Sequence, residues 1–421
     1  EPLTRYCLLH SSRLFLAERQ LTRFDVRTAE GRLAPRWVSD EQSAFLQSPR
    51  AVGNALIHVR RQRREPGVIV AAVHVDDGRL LWQNRVAVPP ADRPIVDSDD
   101  RYVAAVAATG AIYRLTAESI RDTAVLDEPA IAAESFHAPV SAVLPLGDGS
   151  LVLAAVGAKE LAVCKPGDPA SGRARLVLPG KLACWPTPFQ QGILAPCLPG
   201  HVFLLDPRTN ETLAAPFQPP LTPGSRLNWR LPTVVGAGQV AITDGGSNLF
   251  ALAMELNPSP HWKTIATVEL ATPITGPLAS VGNMVFAVDD APTLTAYELP
   301  DLTRREEWAL ERPCVWGPVR VGRHVLLATD AGELACFDAA AKQAWKVLLP
   351  DSPPVGAVAL DDESFLVATA RGIVLRISSA DGRETGRVVL QRPLGAGPTV
   401  VGPSVLLYGR DGNLYYAEVP Q

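Results

Sequence analysis

A unit of four short strand-like runs recurs along this chain, and self-similarity at a fixed period leaves a chain few folds to choose from. The clearest copy spans 318–349, PVRVGRHVLLATDAGELACFDAAAKQAWKVLL. It reads as an apolar stretch ending at Gly322, the run HVLLATD, a turn at Ala331-Gly332, the run ELACFDA, a break, and QAWKVLL. Each run is rich in Val, Leu and aromatics and is bounded by Gly, Asp or Pro, which describes strands joined by hairpins rather than helices. Aligned on the second strand, copies open at or beside Leu14, Leu56, Tyr102, Leu151, Ile193, Val240, Met284, Val325, Phe365 and Val405, ten in all. They stand about 40 to 50 residues apart, the period of a four-stranded propeller blade.

One four-stranded sheet can bury its two faces only against neighbours, and radial stacking buries both. The expected fold is therefore all-β, a β-propeller of four-stranded antiparallel blades, with ten repeats in one ring and residues 1–421 as a single domain. An eight-bladed ring with extra sheet, or two smaller rings, are the alternatives. The last copy ends at 415–419 after three strands, whereas the first already owns four from 5–10 onward, so a closing strand is expected from 1–4 or from sequence upstream. The chain begins with Glu1 rather than Met, as expected of a piece processed or excised from a longer protein. Fourth strands often carry a Trp (Trp37, Trp82, Trp262, Trp308, Trp345), expected to plug the gap to the adjacent blade. Stretches 40–48 and 129–135 are expected as interblade turns.

The motif h-x-A-h-D-x-x-x-G-x-x-x-W is nearly whole in IVAAVHVDDGRLLW (69–82) and ELACFDAAAKQAW (333–345), and it resembles the repeat of the PQQ-like, or quinoprotein-like, bacterial β-propellers. The resemblance covers essentially the whole chain; the GH...WD signature and S-x-D-x-G-x-T-W boxes of other propellers are absent. A quinone-dependent alcohol dehydrogenase of that family binds calcium and PQQ on the propeller axis, with a catalytic Asp, a ligand Glu and Asn, a Trp floor and an adjacent Cys pair. Here the six Cys (Cys7, Cys164, Cys184, Cys197, Cys314, Cys336) include no adjacent pair, and no motif matches the ligands. No cofactor is expected; PQQ and calcium belong only to the alternative of a small-molecule binder or divergent PQQ-dependent oxidoreductase.

The remaining chemistry is as sparse. Forty-four acidic against 40 basic residues leave no global field for a nucleic acid, and no apolar run is long enough to enter a membrane. There is no CxxC, no metal-ligand His spacing, no G-x-S-x-G elbow and no phosphate loop. The acidic groups Asp97/Asp99/Asp100, Asp289/Asp290 and Asp361/Asp362/Glu363 fall at expected hairpin turns, where Asp bonds its own backbone. The run Arg60, Arg61, Gln62, Arg63, Arg64 reads as a solvated hairpin tip.

One set of residues stands out. First strands line a propeller's channel, and the residues entering them converge at one mouth. Aligned on the following Pro, Trp185 and Trp229 occupy the same position and Trp316 is displaced by one, with Arg230, Arg50, Arg93, His137 and Cys184 nearby. Bulky aromatics and Arg at a concave mouth are the side chains that anchor partners. The expected function is a noncatalytic binding or scaffolding propeller, a monomer, engaging a protein or peptide partner or another domain of its parent chain. The resemblance implies bacterial settings such as the propeller lipoprotein of the outer-membrane assembly machine or propellers fused to Ser/Thr kinases, in the cell envelope or the cytoplasm.

Overall fold

The second-strand runs that define the repeat are buried end to end. Every residue of Leu151–Ala154, Met284–Val288, Ser364–Thr369 and Ser404–Gly409 is buried, because a middle strand has a neighbouring sheet against each face. Fourth strands instead alternate, as in Gln343–Leu348, where Trp345 is buried between two exposed neighbours. A computed structural model describes residues 6–39, 43–45, 47–62, 68–86, 90–97, 99, 101–121, 129–133, 138–220, 227–236, 238–246, 248–410 and 412–421. These form ten antiparallel sheets, numbered here in chain order: 6–38, 43–86, 95–115, 142–177, 181–205, 233–269, 279–309, 314–348, 354–389 and 394–418. The ten repeats are thus ten sheets. Sheets 3 and 10 have three strands and sheet 2 has five.

The described residues divide into two compact units, one holding sheets 1 and 2 and the other sheets 3 to 10, where the repeat count led to one domain. In the larger unit each sheet shares an apolar cluster with the next. Ala104 and Leu153 join sheets 3 and 4, Leu161 and Ile193 join 4 and 5, and Leu194 and Ile242 join 5 and 6. Ala251 and Val285 join 6 and 7, Phe286 and Leu327 join 7 and 8, Leu326 and Val367 join 8 and 9, and Leu366 and Leu407 join 9 and 10. An eighth cluster packs Leu406 and Tyr408 of sheet 10 on Val103, Ala105 and Leu115 of sheet 3. The Thr399 hydroxyl seals that joint by donating to the Pro94 carbonyl at 2.7 Å. Eight sheets therefore close a β-propeller ring, the alternative to a ring of ten, because sheets 3 and 10 bury their outer faces on each other. In the smaller unit sheets 1 and 2 pack through Phe15, Leu21, Phe45, Leu56 and Val73.

Details depart from the sequence reading at a few places. Sheet 10 ends after three strands as expected; the segment 1–4, one of the two sources expected for a closing strand, lies outside the described residues. Within 40–48, Ser43–Phe45 is a strand paired with Ala55–Gln62 rather than a turn. Sheet 3 has a short helix, Ala117–Arg121, where a fourth strand would follow. The Arg60–Arg64 run is not wholly a solvated tip. Arg60 lies within strand Ala55–Gln62, is 2% exposed, and bonds the Ser43 hydroxyl at 3.1 Å and the Gln83 side chain at 3.2 Å.

The motif's Trp packs on the motif's Gly position of the next repeat, not on that of its own. A bulge between the third and fourth strands recurs in sheets 1, 2 and 8, and the fourth-strand residue just before it is Trp37, Trp82 and Trp345. Trp37 lies on the hairpin turn of sheet 2, its indole N–H bonding the Val75 carbonyl at 3.2 Å. Trp345 repeats the arrangement on sheet 9, donating to the Ser379 carbonyl at 2.8 Å. In both turns the Gly three residues on, Gly78 or Gly382, holds a left-handed φ and lies flat under the ring, where a Cβ would come within 2.7 Å. A side chain there would collide with the wedge, which is why the turn needs Gly. Trp82, in the same register, is 43% exposed.

Candidate binding mouth of the eight-sheet ring

In each antiparallel blade the first strand starts where the second ends: Cys314 pairs with Thr329, Pro354 with Thr369 and Leu394 with Gly409. Segments entering first strands and leaving second strands therefore share one end of the ring. The first strands of sheets 7, 8, 9 and 10 run side by side around it. Between sheets 9 and 10 they approach so closely that a Cβ on Gly356 would lie 1.8 Å from the Gly397 carbonyl oxygen, so this side of the axis admits only backbone.

Trp185 stands on this end between the two short strands Lys181–Leu182 and Thr187–Phe189 and is 43% exposed. Trp229, aligned with it in sequence, is core: it is 1% exposed and packs 6.2 Å from Phe217. Trp316 is half-buried against the cluster that joins sheets 8 and 9. Arg230 turns inward, its Nε donating to the Ile274 carbonyl at 3.3 Å and tying sheet 6 to sheet 7. Arg93 is exposed just before sheet 3. Arg50 is not part of this group, for it pairs with Ile57 inside sheet 2 of the other unit. His137 lies outside the described residues.

Residues not singled out in the sequence complete this end. Arg371, Arg392 and Arg410 are all exposed and gather on the 390–394 segment. Leu394 N–H bonds the Ala370 carbonyl at 3.0 Å and Arg410 N–H bonds the Pro393 carbonyl at 2.9 Å. Arg410 Nε also donates to the Leu394 carbonyl at 3.3 Å. The available signal was an Arg-Pro pair preceding first strands, at Arg93-Pro94, Arg312-Pro313 and Arg392-Pro393. Arg312 is neutralised by Asp330 at 2.9 Å.

The titratable groups here are set by burial. Desolvation pushes the Cys184 thiol up to about 12, with Cys197 adding to the shift and Arg230 opposing it. Cys184 is partly buried, and a thiol so raised is a poor nucleophile. Burial also raises the Asp92 carboxyl, against the pull of the Arg93 N–H, which donates to it at 2.7 Å, and of the Arg93 charge. The buried Tyr408 phenol is raised by desolvation first and then by Tyr113 and Asp92 beside it. Two of the three acidic groups serve turns, as expected: Asp289 accepts the Ala291 and Thr293 N–H groups, and Asp361 the Glu363 N–H. In the third the buried Asp97 accepts instead from Arg101 Nε at 3.0 Å, and Asp100 lies outside the described residues. Among the described residues no three His, Cys, Asp or Glu side chains are grouped to hold a metal, and no helix is long and apolar enough to cross a membrane.

No family model and no curated protein matches the sequence. Similar solved structures include the computationally designed Ika8 protein, with a TM-score of 0.60 at 12% identity over 79% of this chain and 96% of that one. Saccharomyces cerevisiae Sqt1 follows with 0.57 at 12% identity, covering 79% and 97%. AztD of Citrobacter koseri has 0.50 at 12% identity, covering 78% and 94%. At such identities the likeness carries the propeller fold and nothing further.

Proposed function

We propose that the eight-sheet ring is a noncatalytic binding module of the PQQ-like propeller type, taking an acidic segment of a protein partner or of another domain of its parent chain at the end that carries Trp185. The observation behind this reading is the exposure of Trp185 on a rigid ring end with Arg93, Arg371, Arg392 and Arg410, while its sequence counterpart Trp229 is spent on the core. An exposed aromatic and guanidinium forks, here set at separate points around one ring, are the side chains that anchor interfaces.

The test is fluorescence anisotropy with a labelled Asp/Glu-rich peptide containing one aromatic residue. Trp185→Ala is expected to weaken binding about 30-fold, a loss of about 2 kcal/mol, without lowering Tm. Trp229→Ala, the control, is expected to lower stability by about 3 to 5 kcal/mol through its cavity. Absence of saturable binding at low salt overturns the reading. Tight absorbance-monitored binding of PQQ with calcium, accompanied by dye-linked alcohol oxidation, would replace it with the quinoprotein alternative.

A further inference from the structure

The joint between sheets 7 and 8 is filled only in part, by Trp308, which packs against Phe286 of sheet 7 and Phe337 of sheet 8. In the register position of Trp345 the outer strand of sheet 7, Thr303–Ala309, carries the exposed Glu306, paired with Ala296 just before the same bulge. The facing sheet is also trimmed. Where sheet 9 offers Leu375, paired with Val367, and Ile373, sheet 8 offers Ala335, paired with Leu327, and Glu333. Over the small side chain of Ala335 the joint holds a cleft of about 320 Å³. Trp308 and Phe337, with ring centroids 4.8 Å apart, line its apolar part together with Leu327.

Its polar end is built around Thr329. This side chain is 3% exposed, lines the cleft, and has its hydroxyl buried without a hydrogen-bond partner among the described residues. The Thr residues that end the second strands of sheets 6 and 9 are satisfied within their own hairpins. Thr243 donates to the Asn248 carbonyl at 2.8 Å, and Thr369 accepts the Ile373 N–H at 3.1 Å. A buried hydroxyl left unpaired is unfavourable, and a ligand that supplies the missing bond gains by it. Asp330 N–H bonds the Pro313 carbonyl and Gly332 N–H bonds the Thr329 carbonyl, each at 3.0 Å, which brings the segments bearing Glu311 and Glu333 to either side of this hydroxyl. Three carboxylates line the cleft, those of Glu307, Glu311 and Glu333, against the single ammonium of Lys346. Lys346 is engaged by Glu333 at 2.9 Å and Glu307 by Arg304, so Glu311 is left without an ion pair among the described residues.

We propose that this cleft binds an ammonium or guanidinium group on a short apolar stem. The stem lies on Trp308, Phe337 and Leu327, the head group enters the field of Glu311 and Glu333, and the Thr329 hydroxyl accepts one of its N–H groups. The size, the aromatic wall and the negative end favour this chemistry over an anion or a wholly apolar plug. Its polar end lies at the same ring end as the mouth, but its lining includes neither Trp185 nor any of the Arg residues named there.

The test is calorimetric titration of the full chain with agmatine, with the tripeptide acetyl-Gly-Arg-Gly-amide, and with butylurea, which keeps the four-carbon stem and a planar head group but carries no charge. Saturable agmatine binding at Kd near or below about 1 mM is expected, with butylurea at least tenfold weaker. Thr329→Val and Glu311→Gln are each expected to weaken agmatine binding by about tenfold with Tm unchanged. Ala335→Leu, which restores the side chain sheet 9 has at this position, is expected to abolish binding and keep the fold. Equal affinity for the tripeptide assigns the natural ligand to an Arg side chain of a protein, and binding of agmatine alone assigns it to a free amine. The inference is overturned if neither cation binds saturably, if butylurea binds as well as agmatine, or if binding survives in Thr329→Val and Ala335→Leu unchanged.

Discussion

Gly382→Ala isolates what holds neighbouring blades in register. Two costs add at this position. Gly382 has φ +73°, and an Ala held in the left-handed region costs about 1 to 2 kcal/mol. The new methyl would also stand 2.7 Å from Cδ2 and Cε3 of Trp345 and 2.8 Å from Cγ1 of Val347, inside van der Waals contact on three sides. Overpacking of this kind costs about 1 to 3 kcal/mol. If the indole shifts to relieve the collision, its 2.8 Å bond to the Ser379 carbonyl is strained or lost, at about 1 kcal/mol. The expected total is roughly 3 to 6 kcal/mol, measured by equilibrium urea unfolding followed in the far ultraviolet. Gly402 supplies the control, since it has φ +56° but no atom within 4 Å of its notional Cβ, so Gly402→Ala should cost only the conformational part, about 1 to 2 kcal/mol. In a Trp345→Ala background Gly382→Ala should cost clearly less than in the unaltered protein, because the ring collision is gone and only the conformational cost and the Val347 contact remain. If Gly382→Ala and Gly402→Ala cost the same, or the double mutant shows no coupling, the wedge is not what makes this glycine necessary.

Two further outcomes rest on burial. His58 is 4% exposed against Phe45, and desolvation lowers its imidazole to about 4, so between pH 6.5 and 4 the unfolded chain takes up a proton that the folded chain refuses. The stabilisation from keeping it neutral is complete above pH 6.5 and lost as pH falls through that window, by about 3 kcal/mol in all. His58→Phe should remove this segment of the acid-unfolding profile; an imidazole proton resonance titrating near pH 6.5 in the folded protein would contradict it. Burial likewise pushes Cys184, Cys197 and Cys336 up to about 12, while Cys7 is exposed. At pH 8 a thiol-exchange reagent should consume Cys7 rapidly and the buried thiols only in denaturant, and rapid labelling of Cys184 in the native protein would refute the placement of that side chain.

What could be read from the chain and what could not divides along one physical line: local burial leaves a mark in sequence, and closure does not. The second strand is sandwiched in every blade, so its uninterrupted apolar run from Met284 or Ser364 onward survived as an alignable signal, and all ten copies fall on sheets. Ring membership left no such mark. Sheets 1 and 2 repeat the same bulge and the same Trp37–Gly78 contact that sheets 8 and 9 make through Trp345 and Gly382, so their repeats look like blades of any ring. The bond that decides the matter, Thr399 to Pro94, links residues 305 apart whose types would suit any first strand. The mouth shows the same division. Trp185 and Trp229 have one spacing to the following Pro, yet sheet 5 splits its opening strand around Cys184–Pro186 and leaves Trp185 outside, whereas Trp229 meets Phe217 from the preceding connection. The cleft between sheets 7 and 8 became visible only once register equated Ala335 with Leu375 and Glu306 with Trp345, because neither small nor charged residue is unusual on its own strand. A blade joint is therefore specified by residues about one repeat apart, Trp345 with Gly382 where it is filled and Trp308 with Ala335 where it is open. Binding sites in such a ring are best sought where one member of such a pair has changed and its partner has changed with it.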